Sequence, residues 1–174
     1  MLHITPFSVS RLPRIEFGAG VTGKLPTIAR SLGTRALLVT GGQSFCATSH
    51  WSDLIAALGK LGISWEQVPV HGEPSPTLID DAVHAYRGTR FDVVVGIGGG
   101  SALDAAKAIA GLLQPGNSVM DHLEGVGPEL AYHGPATPFI AVPTTAGTGS
   151  EATKNAVLSV QGVDGFKKSF RDEK

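Results

Sequence analysis

Apolar and polar positions along the chain fall into two alternating regimes. In one, four to seven apolar residues run almost unbroken. In the other, apolar residues recur every three or four positions. Residues 35–40 (RALLVT) are of the first kind, ending at Gly41-Gly42, and the run predicts a buried parallel strand. Trp51, Leu54, Ile55, Leu58 and Leu61 then recur at helical spacing and predict a helix with one buried stripe, stopped near Gly62. Residues 63–70 (ISWEQVPV) predict a second strand, with Pro69 pushing its end towards a sheet edge. A turn-rich stretch, residues 71–76, precedes a helix starting near Thr77, with Leu78, Ala82 and Ala85 on its inner face and Gly88 as C-cap.

Residues 91–97 (FDVVVGI) are the strongest strand signal and lead directly into Gly98-Gly99-Gly100-Ser101. The helix that follows carries Leu103, Ala106, Ala110 and Leu113 on one face, with Asp104 and Lys107 on its polar face. Residues 115–136 read as a long polar surface loop with one short helix. Residues 138–142 (PFIAV) read as another buried strand, and 155–160 with 166–170 as a hairpin. Upstream, Val9 to Phe17 predicts an early strand and Thr22 to Leu32 a helix. The alternation of strand and helix predicts an α/β fold, a Rossmann-like, mostly parallel sheet with helices on both faces.

Composition narrows the function classes. The chain has 174 residues, 42% hydrophobic and 17% charged, the length and balance of one folded domain rather than a disordered segment. The net charge of −1 gives no global attraction to nucleic acid or an anionic membrane. No apolar run is long enough to span a bilayer, and the first residues lack a signal-peptide core, so the expected location is cytoplasmic. Cys46 alone makes neither an internal disulfide nor a cysteine zinc site, and it is expected to be a packed thiol in a reducing compartment.

The 23 glycines concentrate where two strands end. In FDVVVGIGGGSALDAAK, three successive glycines remove every Cβ from a strand-to-helix turn. A phosphate can then approach the backbone and meet the N–H groups of the helix start. Ser101 is placed at the N-cap, and Asp104 three residues on is placed to reach back as in a capping box. The segment matches neither G-x-G-x-x-G, since Ser101 stands at the last glycine, nor a P-loop. The second segment, Pro143 to Glu151 (PTTAGTGSE), sets three threonines and a serine around two glycines. Both segments are expected at the carboxyl edge of the sheet, where open α/β sheets bind ligands, and together they read as a dinucleotide clamp.

These residues resemble a known family. GGGSALDAAKAIA is similar to the GGGSxxDxAK segment of iron-containing (group III) alcohol dehydrogenases, and PTTAGTGSE to that family's other hallmark. The order agrees too: Phe17-Gly18-Ala19-Gly20, a strand ending in Val39-Thr40, a P-x-P-T loop from Pro74 to Thr77, then the two glycine segments and a lysine. The resemblance covers essentially the whole chain. It implies that residues 1–174 form one dinucleotide-binding domain, with Gly99, Gly100 and Ser101 on the pyrophosphate of NAD(P) and Asp104 beside them. Thr144, Thr145 and Thr148 are then expected on the nicotinamide-side phosphate and ribose. Ser75 is expected near the adenosine half, Gly41 at the turn after the first strand, and Lys167, with Lys168 as a rival, facing the cofactor.

Two departures from the family pattern bear on function. Many NAD-using members carry a carboxylate after the first strand; here Gly41-Gly42-Gln43-Ser44 follows, which leaves NAD or NADP open and inclines the expectation to NADP. Family members also continue into a helical second domain that holds Fe²⁺ or Zn²⁺ through one Asp and usually three His. None of His3, His50, His71, His84, His122 and His133 falls at a ligand position of that pattern. Asp121-His122 is expected to be a solvated loop pair, His84 a surface or packing residue, Asp80-Asp81 a polar helix face, and Trp51 and Trp65 packing residues. The resemblance thus implies the cofactor half of an NAD(P)- and metal-dependent alcohol dehydrogenase, inactive or nearly so alone. A maleylacetate-reductase-like half and a stand-alone nucleotide-binding module are the alternatives. The implied partners are a nucleotide cofactor and a small alcohol or aldehyde; dimerisation through an edge strand within residues 7–17 is expected, as is self-association through the apolar surface that the family's second domain covers.

Overall fold

The computed structural model describes residues 13–172. Four parallel strands, β1 (Arg35–Gly41), β2 (Ser64–Val70), β3 (Val93–Gly98) and β4 (Phe139–Pro143), form one sheet in the order β2-β1-β3-β4. A separate antiparallel hairpin, β5 (Asn155–Val160) and β6 (Phe166–Arg171), follows. The helices are α1 (Leu25–Leu32), entered through a 3-10 turn at Val21–Lys24, α2 (Ser49–Lys60), α3 (Pro76–Ala85) and α4 (Gly100–Leu112).

The apolar runs become central strands because both sheet faces are covered. Ala36 and Leu38 of β1 pack with Val93, Val95 and Ile97 of β3 under α1 and α2. Leu37 and Val39, with Val94 of β3, pack on the other face under α3 and α4. Pro69 sits on an edge strand, where its missing N–H costs no ladder bond on the open side, and it pairs in register with Thr40.

Several expectations need correction. Residues 13–17, the described part of the expected early strand, are not extended in a sheet, and the rest of that segment and His3 lie outside the described residues. Leu61 lies just beyond α2 and is exposed rather than part of its buried stripe. The inner face of α3 is Ile79, Ala82 and Val83, so Ala85 is exposed, and its C-cap is Tyr86 rather than Gly88. Asp92 precedes β3 as an anchor: its carboxylate accepts from the N–H groups of Thr34 and Arg35 at 2.8 and 3.0 Å.

The helix α4 is buried almost all round, not on one stripe. It lies between the sheet and the hairpin, whose Ala156, Leu158 and Phe170 cover its second side. Its small residues allow this. A β-carbon on Gly96 of β3 would lie 2.7 Å from Cβ of Ala106, and one on Gly111 would lie 2.9 Å from the Phe170 ring. The 115–136 segment is not a surface loop throughout. Val119 and Leu123 are fully buried, and the Tyr132 hydroxyl donates to the Gly111 carbonyl at 2.8 Å. Its short helix is a 3-10 turn at Val119–Asp121, held by Asp80, which accepts from the Ser118 hydroxyl at 2.5 Å and the Val119 N–H at 2.8 Å. Asp80 is therefore an anchor and not part of a solvated face. Nor is His122 a solvated loop residue. Its ring nitrogens sit 2.8 Å from Leu130 O and 2.8 Å from Asn117 Nδ2, and its ring packs on Tyr132 and Phe170. Trp51 and Trp65 stack edge to face at 5.7 Å, as packing residues do.

Candidate functional site

From β1 the chain turns through α2 to β2 on one side; from β3 it turns through α4 to β4 on the other. The connections diverge between β1 and β3, and the crevice at the carboxyl ends of these two strands is where such sheets take ligands. Gly41 ends β1 there and Gly98 ends β3. The two backbones meet closely. A β-carbon on Gly98 would lie 3.1 Å from Gly41 N and 2.6 Å from Cβ of Ala102. Any larger residue at Gly98 would push the first strand and the helix start apart.

The N-cap of α4 is Gly99, in extended conformation and without a side-chain cap; Ser101, expected at that position, is instead the second residue of the helix and half-buried. The N–H groups of the first helical turn have no intrahelical acceptor, and the helix dipole makes this end favourable to an anion. Asp104 does not cap it. Its carboxylate pairs with Lys107 at 3.1 Å and accepts a short hydrogen bond from the Ser150 hydroxyl.

The second glycine-rich segment folds over the first. The Thr144 N–H donates to Gly98 O at 2.9 Å, continuing the β3–β4 pairing past Pro143. Thr145 then stands over Gly99, its Oγ1 3.1 Å from where a β-carbon would be, and Thr148 stands over Gly100 at 3.4 Å. Gly99, Gly100, Thr144, Thr145 and Thr148 therefore share one rim. The threonines are largely exposed, with hydroxyls available to a ligand.

Other candidates lie apart from this rim. Ser75 is the N-cap of α3, its hydroxyl accepting from the Leu78 N–H at 3.1 Å. Lys167 on β6 pairs with Glu73 at 2.9 Å, while Lys168 points to the opposite face of the hairpin, against Gly125. Beyond β1, Gln67 Nε2 donates to the buried Thr40 hydroxyl at 2.8 Å and lies 3.5 Å from Cys46 Sγ, so the thiol is half-buried in a polar contact. Among the described residues, no three His, Cys, Asp or Glu side chains cluster to hold a metal ion. None of their helices is long and apolar enough to cross a membrane.

One charged residue is buried where the sequence suggests a polar face. Lys107, assigned to a polar face, is 12% exposed, and its ammonium donates to the carbonyls of Ser150 (2.8 Å), Thr153 (3.3 Å) and Asn155 and to the Thr153 hydroxyl. Burial lowers its pKa, which Asp104 opposes by favouring the charged form. The signal is present: an acid and a base three apart are the only charged residues in a helix otherwise made of small and apolar residues.

Comparison with known proteins gives the family and the fold. A family model for iron-containing alcohol dehydrogenases matches residues 13–174. The mitochondrial hydroxyacid-oxoacid transhydrogenase of Caenorhabditis briggsae is 35% identical over 151 residues, 84% of this chain and 32% of that protein. Long-chain-alcohol dehydrogenase 1 of Geobacillus thermodenitrificans is 34% identical over 158 residues, 88% of this chain and 40% of the relative. The crystal structure of NADH-dependent butanol dehydrogenase A from Thermotoga maritima superposes with a TM-score of 0.81 at 27% identity, covering 97% of this chain and 42% of that one. The chain thus spans 32% to 42% of the length of these relatives.

Proposed function

Because the chain belongs to the iron-containing alcohol dehydrogenase family, we propose that residues 1–174 form a dinucleotide-binding domain serving hydride transfer between an alcohol and an aldehyde. The observation that carries this reading is the closure of Thr145 over Gly99 and Thr148 over Gly100 at the crevice between β1 and β3. The site fits the group. Gly98 and Gly99 form a cradle that a Cβ would fill, and the start of α4 offers unpartnered N–H groups to a pyrophosphate. Gly99, Gly100 and Ser101 hold the phosphates in this reading, with Asp104 acting behind them through Ser150. Thr144, Thr145 and Thr148 orient the second nucleotide half. The bound dinucleotide supplies the hydride acceptor; the chain's own part is to bind it, orient it and keep water from it.

The 2'-position distinguishes NADP from NAD. Residues 41–48 (GGQSFCAT) contain no carboxylate to bond a 2'-hydroxyl or repel a 2'-phosphate, so we assign NADP as the preferred cofactor. Gly41 makes the turn that brings this segment to the crevice. In this reading Ser75 lies near the adenosine half and Lys167 faces the cofactor. Titrating the chain with NADPH and NADH, read by the reduced-nicotinamide fluorescence, tests the proposal. Binding of NADPH the more tightly is expected. Tighter NADH overturns the NADP assignment, and binding of neither overturns the domain's function.

The described residues offer no group of three His, Cys, Asp or Glu side chains that fits a metal ion. The chain alone is then expected to show no turnover with Fe²⁺ or Zn²⁺, dinucleotide and simple alcohols. Robust turnover overturns that expectation. The likeness to a hydroxyacid-oxoacid transhydrogenase favours a second substrate reading, a hydroxyacid in place of a simple alcohol, and the same assay with hydroxyacids distinguishes the two. A cytoplasmic location is our reading of the single cysteine.

A further inference from the structure

We propose that Lys107 is the positioning residue of the clamp: its ammonium sets the register of the second glycine-rich segment over the first, and so sets dinucleotide affinity without touching the dinucleotide. The inference rests on the nucleotide-binding reading above.

The geometry is that of a hub. Lys107 projects from the second turn of α4, the same helix whose first residues form the floor of the crevice. Its ammonium has three protons to give. It meets the carbonyls of Ser150, Thr153 and Asn155 and the Thr153 hydroxyl, every one of them in the stretch that leads from the clamp threonines into β5. Asp104, one turn nearer the helix start, receives both the ammonium at 3.1 Å and the Ser150 hydroxyl. Ser150 is thus held at two points, through its carbonyl by Lys107 and through its hydroxyl by Asp104. Ser150 is two residues from Thr148, and the Ser150 N–H faces Thr148 Oγ1 at 3.5 Å.

The span from Thr144 to Thr148 is therefore pinned at both ends. At its start the Thr144 N–H is bonded to Gly98 O. At its end Ser150 is bonded to the Asp104–Lys107 pair. Between the pins the backbone contains Gly147 and Gly149, which have no side chains to pack and cannot fix the loop themselves. A charged amine in so buried a place costs desolvation, which only several well-placed acceptors offset. Here they all belong to one loop, so the ammonium and the loop order each other. An apolar residue at position 107 would avoid that desolvation, but would leave the three carbonyls without this donor and Asp104 without its ion pair, held only by the Ser150 hydroxyl.

The test compares the 174-residue chain with K107M and with D104N/K107M, the second removing both charges so that no carboxylate is left unpaired if K107M folds poorly. Each is titrated with NADPH, NADH and ADP, and amide hydrogen exchange is followed at residues 144–155 and 93–98. The expected result is dinucleotide binding weakened by about tenfold or more with ADP binding changed by less than about twofold. Exchange should quicken at 144–155 and stay unchanged at 93–98. A general loss of fold would weaken ADP and dinucleotide alike and quicken exchange in both segments, and that pattern overturns the inference. Unchanged dinucleotide affinity in a folded variant also overturns it. If the unsubstituted chain binds neither dinucleotide, the nucleotide-binding reading falls. The exchange pattern then decides separately whether Lys107 positions the loop: quickening confined to 144–155 upholds that part, and no quickening overturns it.

Discussion

Thr145 closes over Gly99 so tightly that a β-carbon on the glycine would lie 3.1 Å from the threonine hydroxyl oxygen. Gly99 itself has φ −76° and ψ −173°, a conformation open to any residue. The glycine is therefore demanded by what passes above it and not by its own backbone. Gly99→Ala is expected to fold with nearly unchanged Tm. It should bind dinucleotide about tenfold or more weakly, because the methyl group takes the space between the two loops and crowds the phosphate approach. Paired thermal melts and fluorescence titrations check this; a large fall in Tm would show that Gly99 serves the fold instead.

Gly96 makes the opposite prediction from three residues away. Its missing side chain faces α4, where a β-carbon would lie 2.7 Å from Cβ of Ala106 and 3.1 Å from the Phe139 ring. Ala106 is fully buried on α4 and cannot retreat without moving the helix. Gly96→Ala is expected to cost about 1–3 kcal/mol by overpacking and so lower Tm by several degrees. The fraction that remains folded should bind dinucleotide close to normally. Urea denaturation with binding measured well below the transition separates the two effects, and equal stability to the unsubstituted chain would sink the packing argument.

The contrast between these two glycines shows what the sequence makes legible. The β1 and β3 runs announce themselves because parallel strands covered on both faces need unbroken apolar side chains. The glycine segments announce themselves because close backbone approach needs residues without a Cβ. The burial of α4 on every side is hidden. Periodicity sees one stripe, and the second cover comes from a hairpin more than forty residues later in the chain, whose Leu158 and Phe170 nothing local ties to the helix. Asp104 and Lys107 are hidden for the same reason. An acid and a base three apart look like a solvated pair until the hairpin and the 3-10 turn at Ser150–Ala152 close over them. Asp80 and His122 are likewise hidden, because their partners, Ser118 and Tyr132, lie in a segment whose polar composition conceals Val119 and Leu123 in the core.

Ile15 and Phe17 carry a prediction about association. Their side chains are 65% and 96% exposed, an unusual loss for two large apolar residues within three positions of one another. Contiguous exposed apolar surface on a folded chain marks a contact surface. The 174-residue chain is expected to self-associate in light scattering, and Ile15→Ser/Phe17→Ser to shift it towards the monomer. A clean monomer for the unsubstituted chain at concentrations around 100 μM, where contacts of about 5 kcal/mol or more register, would count against it.

Lys107 should also be visible in the pH dependence of stability. Burial makes the charged ammonium less favourable in the folded chain, and although Asp104 pulls the other way, the net direction is below the ordinary lysine value of 10.5. A base whose folded pKa is depressed gives up its proton sooner in the folded state than in the unfolded one. Between the two values the unfolded chain binds more protons, so the lysine's contribution to stability rises with pH through that window and is level below it. Urea denaturation of the unsubstituted chain and of K107M from near neutrality up to pH 10.5 isolates this contribution, since other lysines and tyrosines titrate equally in both. The stability difference between the two is expected to stay constant at the lower pH values and then to move in favour of the unsubstituted chain as pH approaches the ordinary lysine value. A difference that moves the other way would mean that Asp104 and the three loop carbonyls outweigh burial, making the charged form the preferred one. In that case the Lys107 side-chain carbon resonances would titrate above, not below, those of the exposed lysines.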